Sequence, residues 1–186
     1  MQKRIVLFGS PSGGGKNAII DELIRKYPNY YTRFPSMASR AMRQCESQGN
    51  PYIFVTNQEF EQKIASGEVF EYTTLHGDYR GMSSSIIDHY LEKDKILLKD
   101  CDYIGVIAVK KKYPGQVMSI FLDVPKKELE RRIRQRGSMP EELIKHRLSN
   151  YDKETQTKKH FELVVKNIVL EESVEHVHNL ITMQTR

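Results

Sequence analysis

The residues best suited to chemistry lie near the start of the chain, where three successive glycines precede a lysine. Gly13, Gly14 and Gly15 carry no Cβ, so their backbone N–H groups can converge on an anion. Lys16 adds a full positive charge where a helix is predicted to begin, and the helix N-terminus adds a partial one. Such a loop between a strand and a helix is typical of nucleotide phosphate sites.

This phosphate loop, residues 9–17, departs twice from the pattern G-x-x-x-x-G-K-[ST]. Ser10 stands where the pattern has its first glycine, and Gly9 precedes it. Asn17 stands where the pattern has a hydroxyl that binds magnesium. We still interpret the loop as a phosphate site, because an incidental turn does not explain three glycines and a lysine between a strand and a helix.

The elements that position this loop alternate between strands and helices along the whole chain. The apolar run Ile5–Phe8 predicts a buried strand, and the apolar spacing from Ala18 to Ile24 predicts a helix. Further strands are predicted at 52–55, 69–72, 96–98, 117–124 and 163–165, with helical patterns between most of them. This alternation predicts an α/β fold with a mostly parallel sheet flanked by helices.

Three local predictions concern the segments between these elements. Asn57 is predicted to cap the helix that follows it, because asparagine is a preferred N-cap residue. Leu75–Gly81 contains glycine and aspartate and is predicted to be a turn. Residues 151–160 are strongly polar and are predicted only to form an exposed helix.

Composition limits the class of protein. With 186 residues, 39% of them hydrophobic and 28% charged, the chain suits one soluble globular domain. No apolar run approaches the roughly 20 residues that span a bilayer, so we expect no membrane association. Cys45 and Cys101 lack the spacing of a metal or disulfide site, which favours a reducing compartment. We therefore expect a cytoplasmic protein.

The positive net charge points to a phosphorylated ligand. A charge of +5 and a pI near 9.1 would also allow nucleic acid as a partner. However, the basic residues are scattered, and the run Lys110–Lys112 is typical of a solvated helix face. We expect small phosphorylated molecules as partners and no nucleic acid.

A second set of polar residues is spaced along the rest of the chain. It comprises Ser36-Met-Ala-Ser-Arg40-Ala-Met-Arg43-Gln-Cys-Glu46-Ser-Gln-Gly49-Asn-Pro-Tyr52, Glu71 after Phe70, Gly77-Asp-Tyr-Arg80-Gly-Met82, Lys99-Asp100-Cys-Asp102-Tyr-Ile-Gly105, Arg132-Ile-Arg-Gln-Arg136-Gly137, Arg147 and Val164-Val-Lys-Asn167. With the phosphate loop, and in this order, these motifs resemble the guanylate kinase family over almost the whole chain. The joint spacing carries the resemblance, since each residue alone would suit a surface or core position.

The resemblance implies a fold and an activity. The fold would be a P-loop kinase domain, residues 1–186, with a core at 1–33, 90–131 and 151–186. A monophosphate-binding insertion would occupy about 34–89 and a helical lid about 132–150. The activity would be phosphoryl transfer from ATP to a nucleoside monophosphate, GMP or dGMP, with Mg²⁺, in a monomer or a dimer. Such an enzyme belongs to purine nucleotide metabolism.

The resemblance also implies roles for individual residues. Those expected to stabilise the transferring phosphoryl group are Lys16, Arg132, Arg136 and Arg147. Those expected to bind ATP are Pro11, Ser12, Gly13, Gly14, Gly15, Lys16, Asn17, Ala18 and Asn167, with Asn17 as a weak magnesium ligand. Those expected to bind GMP are Ser36, Arg40, Arg43, Tyr52, Glu71, Arg80, Met82 and Asp100.

The residue types suit these roles. The guanidinium groups of Arg40 and Arg43 match phosphate oxygens in shape and charge. The carboxylates of Glu71 and Asp100 can accept hydrogen bonds from the N–H groups of guanine. Adenine presents an acceptor at N1 and no amine at C2, so the same carboxylates would be left unpaired.

Two further departures from the family pattern fall in the monophosphate site. The family's G-x-Y-Y-G-[ST] becomes Gly77-Asp-Tyr79-Arg80-Gly81-Met82, so that Arg80 replaces a tyrosine that binds phosphate and Met82 replaces a hydroxyl that recognises guanine. Arg80 can still bind phosphate through charge-assisted hydrogen bonds. Met82 cannot replace the lost hydrogen bond. The sequence therefore predicts a working kinase with weaker or altered base specificity.

Two alternatives remain open on the sequence alone. A non-catalytic module related to guanylate kinase would use Arg40, Arg43, Tyr52 and Arg80 to bind a phosphorylated partner, but would have no need of Lys16. A kinase acting on another small phosphate acceptor would keep the phosphate loop. An assay of phosphoryl transfer distinguishes them.

Overall fold

The computed structural model describes residues 2–135, 137 and 139–185. In chain order the strands are β1 (Ile5–Gly9), β2 (Tyr31–Arg33), β3 (Ser36–Ala38), β4 (Ser47–Gln48), β5 (Pro51–Phe54), β6 (Val69–Leu75), β7 (Asp78–Ser83), β8 (Ile96–Asp100), β9 (Val117–Asp123) and β10 (Leu163–Lys166). The helices are α1 (Lys16–Lys26), α2 (Asn57–Ala65), α3 (Ser84–Leu91), α4 (Tyr103–Lys112), α5 (Lys126–Gln135), α6 (Glu141–Ser149), α7 (Tyr151–Gln156) and α8 (Leu170–Gln184), with a 3₁₀ turn at Thr157–His160.

The chain forms two compact units, one from the described parts of Met1–Tyr31 and Leu98–Arg186, the other from Thr32–Leu97. The sheet of the first unit has the order β10-β9-β1-β8, continued by β2, which begins at Tyr31. β9 pairs in parallel with both β1 and β10. All five residues of β1 are buried, as expected for a parallel strand covered by helices on both faces. The predicted α/β class with a mostly parallel sheet is confirmed.

The second unit has its own mixed sheet, in the order β4-β5-β3-β7-β6. β3 runs parallel to β5 and antiparallel to β7, and β6 and β7 form an antiparallel hairpin. The buried side chains of Met37, Phe60 and Val69 pack together with Tyr79, which places α2 against one face of this sheet. The other face carries both polar side chains, such as Ser36, and buried apolar ones, such as Met82.

Two local predictions in this unit were wrong. β6 runs to Leu75 and β7 begins at Asp78, so the predicted turn from Leu75 to Gly81 shrinks to the two residues between the strands. Both take the left-handed conformation that a tight hairpin needs, at φ 54° and 85°. Cross-strand pairing stabilises the rest as strand, although its composition is typical of a turn.

The cap of α2 is Thr56 and not Asn57. The Thr56 hydroxyl oxygen accepts a hydrogen bond from Glu59 N–H at 3.1 Å, and the Glu59 carboxylate accepts one from Thr56 N–H at 2.7 Å. This reciprocal capping box satisfies two backbone donors at once, which Asn57 one residue later could not do. Across the residues that the structure describes, no helix is both long and apolar enough to cross a membrane.

Gly9 has a packing reason to stand at the end of β1. A Cβ added there would lie 2.1 Å from Cζ and 2.5 Å from Cε1 of Phe161, whose ring packs edge-on against Phe121. We expect Gly9→Ala to lower the free energy of unfolding by about 1–3 kcal/mol through overpacking. Urea denaturation would measure this. The double variant with Phe161→Leu should recover part of the loss, and a neutral Gly9→Ala would contradict the close contact.

Candidate active site

The phosphate loop has the backbone geometry that its glycines predict. Gly13 and Gly15 both have φ of 94°, where a side chain would be strained, and Gly15 immediately precedes α1. A Cβ on Gly14 would lie 2.7 Å from the hydroxyl oxygen of Ser10. The loop therefore requires three consecutive glycines for two local reasons, a positive φ at Gly13 and Gly15 and the close approach of Ser10 at Gly14.

Ser10, the first departure from the loop pattern, forms hydrogen bonds within the loop. Its hydroxyl donates to the carbonyl oxygen of Pro11 at 2.9 Å, and Gly14 N–H donates to the same oxygen at 2.8 Å. The Lys16 ammonium donates to the Ser10 carbonyl oxygen at 3.2 Å and to its hydroxyl oxygen at 3.3 Å. Ser10 thus holds Lys16 against the loop, a contact that a glycine could make only through its backbone.

Lys16 lies in a cleft of about 520 Å³ in the first unit. Burial lowers the pKa of Lys16, and the nearby charges of Asp100 and Glu154 act in the opposite direction. Asp100, Asp102 and Glu154 line the cleft together with Ser12 and Lys16. Burial removes part of the hydration that stabilises the ammonium charge. A phosphate entering this cleft would stabilise that charge instead.

A second cavity of about 410 Å³ lies on the other side of the phosphate loop, between α1, α5 and the segment after β10. Gly15, Ala18, Arg132 and Asn167 are among its lining residues. Asn167 is 1% exposed and donates from Nδ2 to the Gly14 carbonyl oxygen at 2.8 Å. Its Oδ1 is buried with no hydrogen-bond partner in the part of the chain described, so an acceptor faces this region unpaired.

Arg132 connects α5 to the phosphate loop and to the segment after β10. Its guanidinium donates to the carbonyl oxygens of Asn167 and Ile168 at 2.8 Å each and, weakly, to that of Gly14 at 3.5 Å. Its Nε donates to Glu128 at 2.7 Å, and Arg131 and Arg132 together hold the pKa of Glu128 at about 2. Arg132 is therefore positioned beside the loop, with most of its donors bound to protein oxygens.

Of the other two expected phosphoryl-transfer arginines, the structure describes Arg147. Arg147 is in the last turn of α6 and is half-buried. Arg136 lies outside the described residues. Asn17 is the second residue of α1, next to Lys16, and its side chain is exposed.

In the second unit, strand pairing gathers most of the expected GMP-binding residues on one face of the sheet. Side chains directly opposite across a ladder project to the same face. Glu71 is opposite Met82, and Ser36 is opposite Tyr52. Ala38 is opposite Arg80, and Ser36 and Ala38 alternate to the same side of β3. The face formed by Ser36, Tyr52, Glu71, Arg80 and Met82 lies opposite the one packed on α2.

Arg40, Tyr52 and Arg80 form a compact cationic and aromatic cluster beside this face. The Arg40 guanidinium carbon lies 5.2 Å from the centre of the Tyr52 ring, and that of Arg80 lies 5.9 Å from it. Two cations on one phenol ring suit a site for a doubly charged phosphate. The structure thus brings Arg80, which replaces a family tyrosine, next to Tyr52, the other tyrosine expected in the phosphate site.

Glu46 holds Arg40 in place. The two guanidinium nitrogens Nη1 and Nη2 donate to the Glu46 carboxylate at 2.7 and 2.5 Å, and Arg43 N–H donates to it at 2.9 Å. The side chains of Arg40 and Glu46 are 10% and 13% exposed. Arg40 Nε is buried and lacks a hydrogen-bond partner among the described residues.

The ion pair of Arg40 and Glu46 makes the stability of the protein depend on pH. The hydrogen bonds from Arg40 hold the pKa of Glu46 at about 2, below its ordinary value of 4.5. The pair's contribution to the free energy of unfolding is thus complete above pH 4.5 and disappears as the pH falls through about 2. We expect Glu46→Gln to be less stable than the wild type at pH 7, with a difference that narrows between pH 4.5 and 2.

Urea denaturation at several pH values would test this. Glu92→Gln, a carboxylate-to-amide change at a side chain that is 77% exposed, serves as the control. Glu128 also has a pKa of about 2, but it is unchanged in all three proteins and drops out of the comparison. A pH-independent difference would show that the ion pair does not act as its geometry indicates.

Sequence reasoning missed two residues that organise these sites. Glu46 was part of the quoted motif but received no role, although its spacing from Arg40 and Arg43 is the signal that links them. Glu154 lies in the segment predicted only to be an exposed helix, yet its carboxylate accepts a hydrogen bond from Ser12 N–H at 2.8 Å. Nothing in the local sequence around Glu154 indicates this contact.

The parallel sheet of the first unit and its glycine loop define an α/β protein of the P-loop class, with a lysine as the first residue of the helix that follows the loop. The sequence model of the family described as "Guanylate kinase" matches residues 1–184. The chain belongs to the guanylate kinase family.

Individual relatives agree with this assignment. The guanylate kinase of Mycoplasmoides gallisepticum is 34% identical over 181 residues, which cover 97% of this chain and 92% of that protein. The guanylate kinase of Fusobacterium nucleatum is 32% identical over 177 residues, covering 95% of each. A crystal structure of guanylate kinase from Anaplasma phagocytophilum shares the fold, with a TM-score of 0.71 at 24% identity over 99% of this chain and 87% of that one.

Proposed function

We propose that this protein transfers the γ-phosphoryl group of ATP to GMP, as a nucleoside monophosphate kinase of the guanylate kinase type. The observation that carries the proposal is the phosphate loop: its glycines have the required backbone conformation, and Ser10 holds the Lys16 ammonium in the cleft. Membership of the family supplies the reaction class. A binding module of the same family would not need a lysine in that cleft.

The chemistry required of the protein is positioning and charge compensation, because phosphoryl transfer needs no nucleophilic side chain. The loop N–H groups and Lys16 would hold the β- and γ-phosphates of ATP. Arg132, Arg136 and Arg147 are assigned to the transferring group, with 132–150 as the lid. Lys16 begins α1, so the helix dipole adds to its charge at the same place.

The acceptor nucleotide is assigned to the insertion at 34–89. Arg40, Arg43, Tyr52 and Arg80 would bind its phosphate, and the arrangement of Arg40 and Arg80 around one tyrosine supports this. Glu71 would accept hydrogen bonds from the guanine N–H groups. Ser36 and Asp100 keep the base-binding roles that the family resemblance implies.

Magnesium fits this site as a partner of the nucleotide. Among the described residues, no group of three or more histidine, cysteine, aspartate or glutamate side chains could hold a metal ion alone. Mg²⁺ usually binds through substrate phosphates with one or two protein oxygens and several waters, and Asn17 would contribute such an oxygen. When bound, Mg²⁺ neutralises charge between the β- and γ-phosphates.

The test is a coupled assay of ADP release with ATP and Mg²⁺ against a panel of nucleoside monophosphates. We expect turnover with GMP and dGMP, and much slower turnover with AMP, CMP and UMP. A folded protein that releases no ADP with any monophosphate would rule out the kinase and leave the binding module. Preference for another base would place the altered specificity in the acceptor site.

Met82 is the first position to examine for base specificity. It lies opposite Glu71 on the same face of the sheet and is 5% exposed. Met82→Ser restores the hydroxyl of the family pattern, and we expect kcat/KM for GMP to rise roughly tenfold, the value of one hydrogen bond to an otherwise unpaired group. Met82→Ala is the matched control, since it loses the same packing without adding a hydroxyl. Equal kinetics for the two variants would refute the effect.

A further inference from the structure

The phosphate loop is held from outside by one carboxylate, that of Glu154 on α7. Its Oε2 accepts a hydrogen bond from Ser12 N–H at 2.8 Å. The backbone of Glu154 is itself fixed, because its N–H donates to the Asn150 carbonyl oxygen at 2.9 Å and its carbonyl oxygen accepts from the Thr157 hydroxyl at 2.6 Å. The carboxylate therefore projects towards the loop from a rigid turn of helix.

The contact falls on one particular peptide unit. The N–H of Ser12 and the carbonyl group of Pro11 belong to the same planar peptide. The Pro11 oxygen already accepts hydrogen bonds from Gly14 N–H at 2.8 Å and from the Ser10 hydroxyl at 2.9 Å. With Glu154 on the N–H, both ends of this peptide plane are held, and the plane cannot rotate without breaking three hydrogen bonds.

The orientation of this peptide matters because it directly precedes the glycines. Gly13 and Gly15 adopt a positive φ, and glycine can also adopt other backbone conformations at little cost, so the loop's shape depends on fixed points at its ends. Lys16 and α1 fix the loop at its C-terminal end. The Pro11–Ser12 peptide is the corresponding fixed point at the N-terminal end.

We propose that Glu154 is a positioning residue of the ATP site, which sets the shape of the phosphate loop by holding the Pro11–Ser12 peptide. The inference rests on the proposed function only in taking the loop as the ATP phosphate site. Glu154 acts through the loop backbone, and its essential property is an oxygen acceptor at the end of a side chain of this length. Its negative charge is secondary and is opposed to the charge of the phosphates.

Three substitutions separate the acceptor from the charge. Glu154→Gln keeps an oxygen at the same distance and removes the charge. Glu154→Asp keeps the charge and withdraws the oxygen by one methylene. Glu154→Ala removes both. The control is Asp152→Asn, which removes a carboxylate from the same helix at a side chain that is 74% exposed.

The dissociation constant for ATP, measured by titration calorimetry, and the KM for ATP and kcat, measured by the coupled assay, are the readouts. We expect Glu154→Ala and Glu154→Asp to raise the dissociation constant and KM roughly tenfold or more, the effect of losing one charge-assisted hydrogen bond. We expect Glu154→Gln and Asp152→Asn to stay within about threefold of the wild type, since a contact to neutral oxygen retains most of the geometry.

Three outcomes would overturn the proposal. In the first, Glu154→Ala lowers the melting temperature but binds ATP as the wild type does, which would make the contact purely structural. In the second, Glu154→Gln is as impaired as Glu154→Ala, which would make the charge the essential property. In the third, Glu154→Asp binds ATP normally.

The design also covers two complications. If Glu154→Ala does not fold, the comparison of Glu154→Gln with Glu154→Asp decides the question. If the wild type binds ATP but phosphorylates no monophosphate, the proposed function fails while the binding comparison still tests Glu154.

Discussion

Lys16→Met should abolish most of the phosphoryl-transfer activity without weakening the fold. We expect kcat/KM for ATP to fall by about 10²- to 10³-fold, because a preorganised donor aimed at transition-state charge is typically worth that much. Methionine has nearly the same length as lysine and fills the same part of the cleft. Initial rates of ADP release at several ATP concentrations would measure the change.

Although Lys16→Met should lower the activity, we expect it to leave the stability of the fold unchanged or to raise it. Burial lowers the pKa of Lys16, so the folded protein without nucleotide holds this charge at a cost. We therefore expect the free energy of unfolding of Lys16→Met to equal or exceed that of the wild type. Lys127→Met, on the exposed side of α5, is the control for loss of a lysine charge. Retention of more than a tenth of wild-type activity would refute the assigned role of Lys16.

Glu71→Gln should impair the use of GMP while leaving ATP binding intact. A carboxylate can accept hydrogen bonds from both N–H groups of guanine, whereas an amide must turn one donor towards a guanine donor. We expect the KM for GMP to rise on the order of a hundredfold, from one lost charge-assisted hydrogen bond and one unsatisfied donor. The change should appear in KM for GMP far more than in KM for ATP.

Relative specificity gives a second measurement for the same variant. The amide can donate to N1 of adenine, so kcat/KM for AMP should rise while that for GMP falls. The ratio of kcat/KM for GMP to that for AMP should therefore fall by a larger factor than kcat/KM for GMP. Glu92→Gln, at an exposed position on the C-terminal side of α3, is the matched control. An unchanged ratio would show that Glu71 does not contact the base.

The fold class and the backbone conformation of the glycine loop were predictable from the sequence because both depend on local rules, and the family was predictable because its motifs keep their order and spacing along the chain. Strand and helix periodicity are properties of consecutive residues, and the glycines before Lys16 prescribe a backbone geometry that few other structures need. The failures were also local in origin. Turn-like composition at Leu75–Gly81 and the capping preference of Asn57 were both overridden, the first by cross-strand pairing and the second by the reciprocal hydrogen bonds of Thr56 and Glu59.

Only the tertiary structure decided which side chains hold other site residues in place. Ser10 could be identified as a departure in the sequence, but its hydrogen bond with Lys16 depends on how the loop closes on itself. The pairing of Glu46 with Arg40 depends on a loop that brings them together across six positions. The contact from Glu154 to Ser12 spans 142 positions, and no local rule reaches that far.

The physical reason is the range of the interactions involved. Backbone conformation and amphipathic patterning are determined by neighbours a few residues apart, so the sequence by itself determined the sheet, the helices and the loop that together mark this protein as a kinase of the guanylate kinase family. Hydrogen bonds form only within about 3 Å, between groups that may be distant in the chain. Which side chains hold the phosphate loop and the arginine cluster in shape is therefore determined by the tertiary structure.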